Sequence, residues 1–246
     1  MMVEELAGLR RVVEPMRGPL EDYARLVRQV AGPNAKSLTL FGAIAAGSFD
    51  ADRHTARNVL VVGRVDLDML RQLATHGARL GKVHIAAPLI MTPEYIKASV
   101  DTFPLELIEI MQQHLVLFGN DYFEDLSFEE ADIRLQSERE LKAILIGLRQ
   151  GLLAAAGREK LVSALEMDVA EGLLRTLRGL LWLKGKKDAR PAADVLSDIE
   201  KITERKLSGV RTALDPSARH GWNEFEVLYR DVEALGEIAN AWWHGS

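Results

Sequence analysis

Apolar positions along this chain follow two rhythms. Over residues 3–31 they recur at helical spacing: Leu6, Leu9, Val12 and Val13, then Leu20, Tyr23, Leu26, Val27 and Val30. Pro15 and Gly18-Pro19 interrupt them, which predicts two helices, the second ending before Gly32-Pro33-Asn34. Leu38–Phe41 is a short apolar run and Asn58–Val62 a β-branched one. They read as two strands, antiparallel if the polar stretch FDADRHT between them is a hairpin turn. Asp66 opens DLDMLRQLATHGARLG, a capped amphipathic helix ending at a glycine. Val83–Ile90 reads as a third strand, and Thr92-Pro93-Glu94 starts a short helix with Thr as its cap. Leu105–Ile110 reads as a fourth strand, and HLVLFGNDYFEDL as a strand and turn.

From Glu129 onward the strand signals stop. Helices are expected near 129–156, 159–184, 191–213 and 221–243, separated by AGREK, KGKKDARP and LDPSARHG. Strands followed by a run of helices predict an α+β architecture. It comprises a small mixed or antiparallel sheet flanked by helices, followed by a C-terminal helical bundle. The expected domains are 1–127 and 128–246.

Composition narrows the class. Hydrophobic residues are 48% and charged residues 27% of the 246, so a sizeable core is available. A net charge of -5 argues against a general nucleic-acid binder. With no cysteine, disulfides, zinc-thiolate sites and cysteine nucleophiles are excluded, and a reducing cytoplasm fits. The N-terminal stretch MMVEELAGLRRVVEPMRG lacks a signal-peptide core. The longest apolar run, Ile144–Ala156, is interrupted by Gly, Arg and Gln, short of the roughly 18–20 residues of a membrane span. A soluble cytoplasmic protein is expected.

The candidate chemistry centres on LFGAIAAGSFDADRHTARNVLVV, Leu40–Val62. Phe41-Gly42-Ala43 is followed by twelve residues and then Ala56-Arg57-Asn58-Val59. This frame resembles the nucleotidyltransferase superfamily that includes polymerase beta and kanamycin nucleotidyltransferase. Downstream, PLIMTPEYIKASVDTFPLELIEI, HLVLFGND and RLQSERELKAILIGLRQGLL are similar to segments of bacterial nucleotidyltransferase-domain proteins, so the resemblance covers roughly residues 20–156. It implies a Gly-Ser turn holding a nucleoside triphosphate and an acid-apolar-acid strand holding two divalent metals. Those metals bridge the phosphates and neutralise developing charge.

The departures lie in the ligands. Mg²⁺ needs oxygen donors, usually carboxylates. Ala56 offers none, Asn58 one neutral amide oxygen, and Ala43 lacks the turn's hydroxyl. Arg57 adds a cation, which strand alternation points to the other face. The third acid of the family corresponds to Glu106, or to Glu109. Asp66 and Asp68, after Gly47-Ser48, imitate the signature with a seventeen-residue spacer, but they also suit a helix cap and first turn. Asp50 and Asp52 suit a turn.

The expected function is a catalytically inactive protein of this fold that binds a nucleotide or regulates through a protein partner. Gly42, Ala43, Gly47 and Ser48 are the expected nucleotide-binding residues, and no residue is assigned to catalysis or metal. One alternative is an active, metal-dependent transferase using Asp50, Asp52, Asp66, Asp68 and Glu106, with a nucleoside triphosphate and Mg²⁺ as cofactors. Another is a structural interaction subunit, or a homodimer built through the helical half. Partners are thus a nucleotide, a protein or a second copy; a membrane is not expected and nucleic acid is disfavoured.

Lesser candidates keep two readings each. His54 faces a phosphate or is an exposed hairpin residue. His84 and His114 are strand residues rather than catalysts. The Gly42–Gly47 loop admits a phosphate or packs as a tight turn. KGKKDAR attracts phosphate or is a solvated loop. Arg134 or Arg139 reaches a ligand or serves intrahelical ion pairs. Trp242 and Trp243 cannot both face inward, which marks a partner surface or a frayed end.

Overall fold

The computed structural model describes residues 6–52, 54–215, 217–218 and 220–244. The chain forms two compact units. The first runs through Val100 and resumes over Leu107–Ser127, and the second takes Asp101–Glu106 and the chain from Phe128 onward.

In the first unit, a 3-10 turn (Ala7–Arg11) leads into helix α1 (Glu14–Ala31). Only one α-helix forms where the periodicity predicts two. Pro19 lies inside α1 and removes one backbone donor. The helix continues because Leu20, Tyr23, Ala24 and Val27, at most 1% exposed, all bury on its inner face. Strands β1 (Ala35–Phe41) and β2 (Arg57–Val62) pair antiparallel, as the hairpin pattern predicts, with Leu38 opposite Leu60 and Leu40 opposite Asn58. Helices α2 (Leu67–Ala74) and α3 (Gly77–Lys82) replace the single helix expected after Asp66.

Two predicted strands need correction. In Val83–Ile90 the first two residues form a turn, with His84 at φ 58°, Ile85 makes an isolated parallel bridge to Ala56, and the strand is the shorter β3 (Leu89–Met91), parallel to β2. After helix α4 (Pro93–Ala98), whose cap Thr92 accepts from the Tyr95 amide as expected, Leu105–Ile110 is helical. It belongs to α5 (Pro104–Gln112). Leu105, Leu107, Ile108 and Ile110 are all buried, while Glu106 and Glu109 share a half-buried side at i, i+3, so the apolar run that reads as a strand is the buried part of a helix. Pro104 at the first helical position was the competing signal. Strand β4 (His114–Gly119) pairs antiparallel with β1 and completes a mixed sheet of order β3-β2-β1-β4.

The second unit is helical: α6 (Glu130–Ala155), α7 (Glu159–Leu183), α8 (Ala192–Thr203), α9 (Ser208–Ala213) and α10 (Trp222–His244). Its core includes Leu148, Leu173, Leu177, Ile199, Val210, Leu228 and Val232, each fully buried. The helix expected over 191–213 breaks into α8 and α9 at Glu204, which adopts φ 52°. The break is sealed from afar. The buried Asp231 carboxylate on α10 accepts from the amides of Gly209 (2.7 Å) and Val210 (3.3 Å), capping α9.

Candidate functional site

The sheet has two unlike faces where the resemblance places its chemistry. On one, Leu38 and Leu40 of β1 join Ala56, Leu60 and Val62, and this surface packs with Leu20, Tyr23, Ala24 and Val27 of α1. Asn58 belongs to the same face by alternation. Ala56 is 0% and Asn58 1% exposed, so both would-be acid positions are core positions.

Asn58 is fully engaged there. Its Nδ2 donates to the carbonyl oxygens of Ala86 (2.9 Å) and Ala56 (3.2 Å), and its Oδ1 accepts from the Tyr23 hydroxyl (2.9 Å). Burial pushes the Tyr23 hydroxyl well above its ordinary value, so it remains a donor. The side chain thus uses both its hydrogens and an oxygen lone pair on protein groups. Sequence spacing gives no hint of this, because Tyr23 and Ala86 lie 35 and 28 residues away.

Arg57 points to the other face. It forms a two-pronged ion pair with Glu109 (2.8 and 3.1 Å) and lies over the Phe41 ring, 4.4 Å from its centroid. Glu106 is held separately, accepting from Gln136 Nε2 (2.7 Å) with Arg175 3.5 Å away.

The turn after β1 is compact. Gly42 takes φ +73° and Gly47 φ +74°, conformations that suit glycine. The Gly42 amide donates to Gln113 O (3.0 Å), those of Ala45 and Ala46 to Gly42 O, and that of Ser48 to Ala43 O (3.1 Å). Farther along, the Asp52 amide donates to Asp50 Oδ1 and the Asp50 amide to His54 Nδ1 (both 3.0 Å), so these residues hold the turn together. Asp66 accepts from the amides of Asp68 and Met69 as the α2 cap, and Asp68 pairs with Arg71 (2.8 Å).

A pair of Mg²⁺ ions does not fit these residues. The two strand positions offer a methyl group and a committed amide, and within the same unit the carboxylates of Asp50, Asp66, Asp68 and Glu109 already serve an amide or a cation. Among the described residues, no group of three or more His, Cys, Asp or Glu side chains is arranged to hold a metal.

The remaining candidates have local partners. His84 closes the turn after α3, where its carbonyl accepts from the Ala56 amide (2.6 Å). His114 opens β4 and meets Asp121 (2.7 Å). Burial opposes the charge on Asp121, but the His114 bond and the amides of Phe123 and Glu124 together hold its carboxyl below the ordinary range. In KGKKDAR, Lys186 and Arg190 pair with Asp198 (2.9 and 2.8 Å), Lys187 lies over the Trp182 ring and Lys184 over the Trp242 ring. The loop is tied to its own unit. Lys142 pairs with Glu138 on α6, as the helical spacing predicts, and Arg139 is exposed. Trp242 is half-buried; the Trp243 side chain lies outside the described residues.

No family model and no curated protein matches this chain. Among solved structures it is similar to that of spectinomycin adenyltransferase AAD(9) from Enterococcus faecialis with ATP and spectinomycin, with a TM-score of 0.59 and 11% identity. The likeness covers 91% of this chain and 98% of that one. At this identity it shows the fold, an α+β nucleotidyltransferase-like one. Among the described residues, no helix is long and apolar enough to cross a membrane.

Proposed function

We propose that this chain is a catalytically inactive protein of nucleotidyltransferase fold that acts by binding, with a nucleotide or a protein partner as what it binds. One observation carries the reading. The strand positions where the resemblance implies metal-holding acids are Ala56 and Asn58, both buried, with the Asn58 amide spent on Tyr23, Ala56 and Ala86. Two-metal chemistry needs several anionic oxygens converging on one point. The carboxylates of Asp50, Asp66, Asp68 and Glu106 each have a local role instead, and Asp52 is tied to the turn through its amide.

The Gly42–Ser48 turn is the place for a nucleotide, since its small residues let a phosphate approach the backbone. The structural neighbour was solved with ATP. Residues 1–127 then form the nucleotide-facing domain and 128–246 a helical one. The test is a crystal soaked in ATP with Mg²⁺. Nucleotide density at Gly42–Ser48 without a metal pair on β2 supports the reading. Two metals bridging β2 and the phosphates would overturn it.

A further inference from the structure

One imidazole cinches the connection between α9 and α10. His220 stands just before α10, with an acceptor at each ring nitrogen. Its Nδ1 lies 3.0 Å from Glu166 Oε2 on α7, and its Nε2 lies 3.2 Å from the carbonyl oxygen of Asp215. That carbonyl also accepts from the Ala218 amide (3.0 Å). The ring thus ties α7 to both ends of the Asp215–His220 stretch. A separate bond, from Ser163 Oγ on α7 to His220 O (3.0 Å), holds the His220 backbone whatever the ring's protonation. The pair is buried: the side chains are 1% exposed for Glu166 and 9% for His220.

This geometry fixes a proton count. A carbonyl oxygen cannot donate, so Nε2 must carry a proton to bond Asp215. A second proton must lie between Nδ1 and Oε2. It sits on the ring, as imidazolium facing carboxylate, or on the carboxyl, which then donates to a neutral ring. With one proton fewer, a ring lone pair is turned toward a carboxylate or toward a carbonyl. The surroundings oppose that loss. Glu166 Oε1 is buried with no hydrogen-bond partner. Glu159 of α7 and Glu224 of α10 bring carboxylate oxygens within 2.5 and 3.4 Å of where a Cβ on Gly221 would stand, and the Asp215 carboxylate accepts from Ser217 in the connection. Burial, with the Glu224 charge adding, raises the Glu166 carboxyl above its ordinary value, against the His220 bond and the Gly221 amide.

We propose that Glu166 and His220 form a proton-dependent latch, closed while the pair holds both protons and open at Asp215 once one is lost to solvent. The latch is closed at acidic pH and opens as pH rises, the direction in which a raised carboxyl loses its proton. Opening frees Asp215–Ala218 from the ring, while Ser163 keeps the His220 backbone on α7, so the release is local. The inference is independent of whether the Gly42 turn binds a nucleotide.

Hydrogen exchange of the full chain tests this, read by mass spectrometry at about pH 5 and about pH 8 and corrected for intrinsic rates. In wild type, the peptide covering 214–221 should exchange at least fivefold faster at the higher pH, with the interior of α7 unchanged. Glu166→Gln should keep the latch shut at both values, because its amide donates to Nδ1 while Nε2 still donates to Asp215 O. A residue that merely fills space would lose protection instead. His220→Phe keeps a ring without N–H and should exchange fast at both values. Equal protection of the wild-type connection at the two values would overturn the proposal. A pH response that survives Glu166→Gln would do so too, as would a loss spread evenly over α7 and α10, which would mark global destabilisation.

Discussion

Asparagine at position 58 is fitted to its surroundings in a way an acid would not be. A carboxylate there would still accept from Tyr23, but it would present lone pairs to Ala86 O, which now receives an N–H. Asn58→Asp is therefore expected to destabilise the protein by about 2–3 kcal/mol, measured by urea unfolding, and to leave nucleotidyl transfer absent. An acid placed there would face the core rather than an open site. The sequence shows Ala and Asn at the two positions where the resemblance implies acids. It does not show that their places are buried, since that depends on α1 covering this face of the sheet. A second residue-scale effect concerns Glu166, which is 1% exposed and bonded to His220 Nδ1 (3.0 Å). Burial foremost, with the Glu224 charge adding, raises its carboxyl above the ordinary 4.5, against the His220 bond and the Gly221 amide. The folded state thus favours the protonated form. The associated stability is full below 4.5 and is lost as pH rises through the raised value. Urea midpoints of wild type should fall relative to those of Glu166→Gln as pH is taken from 4 toward neutrality, and parallel midpoints would refute this.

At the scale of elements, local signals are legible where a helix carries its own cap. Thr92 and Asp66 cap α4 and α2, and both can be read from a few neighbouring residues. The hairpin of β1 and β2 is legible for the same reason. What the chain conceals is held from a distance. The short helix α9 starts where Asp231, more than twenty residues later, accepts its first amides. Asp231→Ala should leave those amides without a partner and cost about 1–3 kcal/mol by chemical denaturation, with loss of helical signal confined to one short element. An unchanged midpoint would show that the cap is not what sets the break. Helix α5 is hidden differently, because four buried apolar residues leave only Glu106 and Glu109 to mark its polar side within a short stretch.

For the whole molecule, the fold persists at 11% identity with its structural neighbour, over nearly the full length of both chains. The strand-turn-strand frame was legible because its spacing and apolar runs can be read from the sequence directly. Whether the frame works turns on the side chains at two positions, and the proposed function, binding without transfer, is tested there. The most direct test incubates the purified chain with α-labelled ATP and Mg²⁺ or Mn²⁺, alone and with hydroxyl-bearing small molecules, proteins and RNA as acceptors. The account predicts no label transferred above a protein-free control. Metal-dependent transfer that disappears with Glu106→Ala would contradict it.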